Sequence, residues 1–151
     1  TPDGSNIPGG QAPSVANIYR YLITKYGFTP AQAAGILGNM QVESGFNTAA
    51  YNSGEGAIGL CQWEGGRRRQ LEQFAAARGK PVTDWQVQVD FMAHELAGSE
   101  SGAYRYIKAA QTPAAAAAAF DQYYERSDGA ARGQRMANAN QFAASLGRVS
   151  V

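Results

Sequence analysis

Apolar residues recur at helical spacing early in the chain. Val15, Ile18, Tyr19, Leu22 and Tyr26 fall three and four residues apart, which places them on one face of a helix closed by Gly27. Thr29-Pro30-Ala31-Gln32 then joins an N-cap Thr, a Pro at the first helical position and a Gln at the capping-box position. A second helix is predicted from there to about Ser44. Its apolar side, Ala33, Ile36, Leu37 and Met40, continues at the same spacing onto Glu43, so a carboxylate is expected at the end of a core-facing stripe. The periodicity fails between Gly45 and Gly66, where Gly recurs at 45, 54, 56, 59, 65 and 66 among Asn47, Asn52 and Ser53. It returns with Leu71, Phe74 and Ala75, stops at Arg78-Gly79 with Pro81 beyond, and restarts at Thr83-Asp84-Trp85-Gln86 for a helix through Val89, Met92 and Leu96. Thr112-Pro113 opens an alanine-rich segment running through Phe120 and Tyr124, and Gln134 to Leu146 supplies a last helix ended by Gly147. Because Ala is the best helix former and Phe120 and Tyr124 give the segment a packing face, alanines 114–119 are expected as a close-packed core helix. The predicted fold is mainly α, with a Gly-rich loop or short β-element around residues 46–64.

Composition sets the boundaries. A length of 151 residues with 44 % apolar content suits a single core. Residues 1–13 hold three Gly, three Pro and no aromatic side chain, and are expected to be a flexible linker from a longer polypeptide. The folded domain is expected over 14–147, with a short tail at 148–151. Charged residues are 17 % of the chain and the net charge is +1, so nothing resembles the basic excess that a nucleic-acid partner requires. No run of 18 apolar residues is present, and no membrane insertion is expected. With a single cysteine, Cys61, and a single histidine, His94, neither an internal disulfide nor a tetrahedral metal site is supported, and no cofactor is expected.

Glu43 is the foremost candidate for chemistry. A carboxyl group ending a core-facing stripe is partly desolvated, which raises its pKa towards working pH and makes it a proton donor of the kind glycosidic cleavage needs. The alternative at that position is a carboxylate accepting hydrogen bonds from loop amides near a helix end. The neighbourhood decides between them, because Glu43-Ser44-Gly45-Phe46-Asn47 is followed by Gly56-Ala57-Ile58-Gly59-Leu60-Cys61-Gln62-Trp63.

That pairing resembles the signature of soluble lytic transglycosylases and related lysozymes. The chain is most similar to phage tail-tip lysozyme domains, through Gly35-Ile36-Leu37-Gly38-Asn39-Met40-Gln41-Val42-Glu43-Ser44, Gly59-Leu60-Cys61-Gln62-Trp63, Tyr124-Glu125-Arg126 and the segment Arg132 to Phe142. Thr48 and Ser127 stand where that family often has Pro, which alters no titrating group. The resemblance covers about Ile18 to Leu146. It implies a lysozyme-like helical domain of a phage or phage-derived tail protein, with peptidoglycan glycan strands as its partner, working outside the cell or on the virion. As an isolated domain it is expected to be monomeric. It further implies that Glu43 is the catalytic acid and that Gln62 and the Gly59-Leu60 backbone line the sugar cleft.

Physical reasons accompany these positions. Gly56 and Gly59 lack side chains and so permit close approach of a saccharide to the loop. Gln62 offers a donor and an acceptor for an N-acetyl group, a water or Glu43 itself. Tyr51, ranked above Trp63, is a candidate to stack on sugar, and Ser44 belongs to the same substrate-binding set. Glu55 and Glu64 flank the loop as possible second acids. Glu125 is a third, unless Arg126 or Arg132 holds it in a structural ion pair. Arg67-Arg68-Arg69 reads as a solvated helix start, and Cys61 as a buried apolar filler rather than half of a Cys61–His94 peptidase pair. Hydrolysis by a positioned water is favoured over transglycosylation to anhydro-muramoyl products, and a non-catalytic peptidoglycan-binding module is the alternative from outside enzymology.

Overall fold

At the centre of the structure, a computed structural model that describes residues 14–148, lies helix α2 (Pro30–Ser44). The linker expected at 1–13 and all but the first residue of the tail expected at 148–151 lie outside the described residues. Every residue of α2 from Gln32 to Met40 is buried, so this helix is enclosed on all sides and not along one stripe alone. The capping box forms as the sequence predicts: Gln32 N–H donates to Thr29 Oγ1 at 3.2 Å and Thr29 N–H to Gln32 Oε1 at 3.0 Å.

Around α2 pack α1 (Val15–Tyr26), α6 (Pro113–Ala119) and α7 (Arg132–Leu146), while α3 (Gly65–Ala77) and α4 (Trp85–Ala97) build the other side of the core. At its glycines α2 lies very close to α6 and α7. A Cβ at Gly35 would stand 2.5 Å from Ala116 Cβ, and one at Gly38 would stand 2.5 Å from the Arg135 carbonyl oxygen. The alanine run therefore behaves as expected: Ala116 and Ala117 are fully buried, and their small side chains let α6 sit against α2.

Two features were not legible in the pattern. Helix α5 (Ser101–Ala109) buries only Ala103 and Ile107 and begins without a side-chain cap, so its periodic signal is short. The alanine-rich helix also does not run on as α-helix, for after Ala119 it widens into a π-helical segment, Phe120–Glu125. Such π segments are rare and often occur at functional sites.

The Gly-rich region forms a small antiparallel hairpin, β1 (Tyr51–Asn52) with β2 (Ala57–Ile58), in the register Tyr51 to Ile58 and Asn52 to Ala57. Asn52 Oδ1 accepts from the Gly54 and Glu55 N–H groups and so closes the turn. Gln88 of α4, fully buried, clamps this region to the helices: its Oε1 accepts from Leu60 N–H at 2.9 Å, and its Nε2 donates to the Thr48 and Val82 carbonyls at 2.9 and 2.8 Å. Among the described residues no helix is long and apolar enough to cross a membrane.

Candidate active site

Helix α2 delivers Glu43 in its last turn, and Gly45 ends that helix in the left-handed conformation at φ 58°. A carboxylate at a helix C-terminus faces the negative end of the macrodipole, so it needs a cation nearby. Arg135 of α7 supplies it, with Nη1 2.8 Å from Glu43 Oε2. The guanidinium is almost wholly buried and is itself held, donating to Asn39 Oδ1 at 3.0 Å and standing 3.2 Å through Nε from Asp121 Oδ1. Asn39 in turn donates to the Gly35 and Ala117 carbonyls, while Asp121, fully buried, takes a second ion pair from Arg132 at 2.8 Å and a hydrogen bond from Ser127.

Glu43 and Arg135 open onto a cleft of about 750 Å³ that is also lined by Glu55, Cys61, Gln62, Glu64, Arg67 and Glu125. Glu125, the last residue of the π-helical segment, faces Glu43. Its carboxyl is pushed well above the usual carboxylate range, first by burial and then by the Glu43 charge, with a hydrogen bond to Glu43 adding to the effect. Arg135 and Arg67 oppose that shift without cancelling it. Glu125 Oε2 is buried with no hydrogen-bond partner among the described residues. The cleft thus holds both carboxyls, and burial together with the Glu43 charge favours the neutral form of Glu125.

The ion pair expected for Glu125 is not made by either predicted partner. Arg126 pairs with Glu100 at 2.5 Å, and Arg132 with Asp121. Glu43 is partly buried, as anticipated, with its side chain 19 % exposed beside Arg135, and Glu125 is the more enclosed of the two carboxyls.

Several predicted substrate contacts belong instead to the scaffold. The ring of Trp63 is buried, and its Nε1 donates to Glu95 Oε1 at 3.0 Å, so it does not face the cleft. Leu60 is buried, its N–H engaged by Gln88 and its carbonyl by Ser44 Oγ at 3.0 Å. Ser44 thereby ties the end of α2 to the loop. Gly59, at φ 83°, is required by Gln88, since a Cβ there would stand 2.9 Å from Gln88 Oε1, and the space it leaves is filled by protein rather than by sugar. Tyr51 is the exposed exception, 60 % accessible on β1, with the Arg68 guanidinium 5.8 Å from its ring, though it does not line the cleft. Gln62 does line it, anchored by Nε2 to the Gly59 carbonyl at 3.0 Å.

Arg67 corrects the expectation of a solvated basic run. It makes a two-point ion pair with buried Glu95 at 2.8 and 3.0 Å, and Glu95 also accepts from Trp63 and from Tyr124 Oη at 2.5 Å. This knot fixes Tyr124, the residue before Glu125. Cys61 lies at the cleft floor, where burial pushes its thiol well above the ordinary range, with Glu125 and Glu43 adding to the shift. His94 stacks on Phe74 and Phe91 and lines a separate cavity of about 470 Å³ together with Tyr26 and Asp90, so no Cys–His pair assembles.

Sequence reasoning missed Asn39, Asp121 and Arg135. A signal was present for two of them: a polar residue inside an otherwise buried run must find partners, and Asn39 and Asp121 each interrupt such a run. The sequence model of a family described as phage tail lysozyme matches residues 14–146. No curated protein matches the chain.

Proposed function

The chain belongs to the phage tail lysozyme family, a family of peptidoglycan-lytic proteins, and from that premise we propose that it is a muramidase. It hydrolyses the β-1,4 bond between N-acetylmuramic acid and N-acetylglucosamine, with Glu43 as catalytic acid. One observation carries this reading: a cleft in which Glu43, braced by Arg135, faces the buried carboxyl of Glu125.

Burial and the neighbouring Glu43 charge favour the neutral form of Glu125, which supplies the pair with a proton. Glu125 hands that proton to Glu43, and Glu43, at the cleft wall, passes it to the leaving glycosidic oxygen, so a single proton leaves the pair. Transfer leaves two negative carboxylates facing the anomeric carbon, where positive oxocarbenium character develops. Their charge is stabilising at that moment and unfavourable before it, which is the differential that lowers a barrier. Gln62 Oε1, Glu55 and Glu64 give the cleft acceptors that hold a nucleophilic water, and its attack completes hydrolysis as the proton it sheds returns to the carboxylate pair. Arg135 keeps Glu43 in place throughout.

In this reading residues 14–147 act as one monomeric catalytic domain following a linker. The setting is a phage or phage-derived tail protein outside the cell or on the virion, opening the wall locally. Turbidity loss of purified cell walls tests it. Glu43→Gln is expected to fold normally and lose roughly 10²–10⁴-fold in rate, the usual worth of general acid catalysis. Lysis retained within a few-fold would remove Glu43 from the mechanism, and a wild-type protein that binds walls without clearing them would support the non-catalytic alternative.

A further inference from the structure

Glu125 enters the cleft from the end of the π-helical segment, so whatever fixes that end decides where its carboxyl lies. A π turn is wider than an α turn, and over the segment the angular position about the axis changes by roughly the 100° that one residue of α-helix spans. Arg126 N–H donates to the Asp121 carbonyl at 2.7 Å and closes the last π turn, with Arg126 itself left-handed at φ 55°. The final carbonyls of a helix have no donor within it. Arginine side chains serve them here, Arg126 Nη1 donating to the Tyr123 carbonyl and Arg67 Nη1 to the Tyr124 carbonyl, both at 3.3 Å.

Of the two, Arg67 is the one built into the interior. Arg126 is half exposed beside Glu100, whereas the Arg67 side chain is 25 % exposed and its partner Glu95 is buried. Nε and Nη2 of Arg67 are both taken up by Glu95, which leaves Nη1 for the Tyr124 carbonyl, the peptide that joins Tyr124 to Glu125. The guanidinium also lies over the Tyr124 ring, 4.6 Å from its centroid. The Tyr124 hydroxyl donates to Glu95 Oε1 at 2.5 Å and accepts from Trp63 Nε1 at 2.9 Å. Tyr124 is thus gripped at its ring, its hydroxyl and its carbonyl.

We infer that Arg67 is a positioning residue for the reaction: its guanidinium, locked to Glu95, caps the Tyr124 carbonyl and so sets the place of the Glu125 carboxyl opposite Glu43. Lysine keeps the charge but not the arrangement, because a single ammonium lacks the planar fork that holds Glu95 at two atoms and a carbonyl at a third. The groups that face Glu125 are Glu43 of α2, Arg135 of α7 and Arg67 of α3, with the neutral Cys61 thiol and Tyr124 hydroxyl. Of these, the two arginines oppose the upward shift of its carboxyl. This inference rests on the reading of Glu43 and Glu125 as the proton-carrying pair and adds the residue that holds the second of them in place.

Arg67→Lys tests the arrangement with the charge kept. Wall-lysis kinetics, measured well below the melting temperature of the variant, are expected to show kcat reduced about tenfold or more with KM within about twofold. The split follows because a misplaced Glu125 costs rate, while Arg67, engaged by Glu95 and Tyr124, holds no substrate. Arg69→Lys, at an exposed position of the same helix, is the control and should match wild type. Full activity in Arg67→Lys, or a loss in KM alone, would overturn the proposal. A second variant, Arg67→Gln with Glu95→Gln, removes both charges together and strands neither in the interior. Carboxyl-carbon NMR of Glu125 against pH needs no turnover, and its midpoint should rise in this variant because the Arg67 charge that opposes the shift is gone. An unmoved midpoint would put Arg67 out of reach of Glu125 and overturn the inference even where wall lysis succeeds. A wild-type protein that leaves walls intact, with the midpoint still rising in the variant, would count against the muramidase reading and leave Arg67 beside Glu125.

Discussion

Gly38→Ala couples the packing of the fold to the geometry of the site. A Cβ at that position would stand 2.5 Å from the Arg135 carbonyl oxygen and 2.9 Å from Ala139 N. Both are backbone atoms, so no side-chain rotation relieves the contact. Restoring an ordinary separation of about 3.5 Å requires α2 and α7 to part by about 1 Å. Overpacking of this kind costs about 2–3 kcal/mol, and loosening the Arg135 contacts to Glu43 and Asn39 adds about 1–2 kcal/mol. The higher helix propensity of Ala returns about 1 kcal/mol. The net loss is about 2–4 kcal/mol, which for a chain of this size lowers Tm by roughly 5–15 °C. Because Arg135 shares the displaced helix, Glu43 loses its brace, and a misplacement of about 1 Å costs on the order of 10²-fold in rate. Gly133→Ala is the control, since no atom lies within 4 Å of a Cβ there, and it is expected to leave lysis unchanged and raise stability by about 0.5 kcal/mol. The assay is thermal unfolding by circular dichroism together with wall-lysis rates at 25 °C. A Gly38→Ala protein that melts at or above the wild-type temperature and lyses walls at the wild-type rate would refute the close α2–α7 contact and its link to the site.

Three further outcomes are expected. Glu125→Gln removes a carboxyl whose folded pKa lies above its unfolded one, so the stability that wild-type Glu125 contributes below the unfolded pKa is lost as pH rises through the folded value. The variant should therefore gain Tm relative to wild type at neutral and alkaline pH and match it near pH 4, while losing lysis; an unchanged difference across that range would contradict a protonated Glu125. Gln88→Ala strands the Leu60 N–H and the Thr48 and Val82 carbonyls, at a cost of about 2–4 kcal/mol, and hydrogen exchange should rise first in residues 48–62; uniform exchange would show that Gln88 does not clamp the loop. Cys61, held as a buried thiol, should resist alkylation at pH 7 until the protein is unfolded, and Cys61→Ala should retain lysis; rapid labelling of the folded protein would place the thiol in a different environment.

Local chemistry made most of the helices readable. Thr29, Asp84 and Thr112 all cap as their sequence contexts imply, and Gly27 and Gly45 close helices in the left-handed conformation. Glu43 was legible because its spacing placed it on α2 and its neighbours resembled a known family. Arg135 was not, because the sequence separation from Glu43 is long and only tertiary packing joins the two helices. The same holds for Gln88, whose side chain reaches three backbone groups on two separate segments, and for Arg67, which looked like one of three solvated arginines until Glu95 met it from α4. Gly59, Leu60 and Trp63 carry a motif that resembles a sugar-binding loop, yet their side of that loop is the one that packs inward. The π-helical segment that aims Glu125 follows an unbroken run of strong helix formers, so nothing in local propensity announced it.

The account stands most directly on the products of digestion. Peptidoglycan treated with the wild-type protein and with Glu43→Gln, then resolved by mass spectrometry, should show reducing muramic acid ends from the former and no cleavage by the latter. Anhydro-muramoyl ends, lighter by one water, as the dominant wild-type product would contradict hydrolysis, and the same products from Glu43→Gln at a comparable rate would contradict Glu43 as the acid.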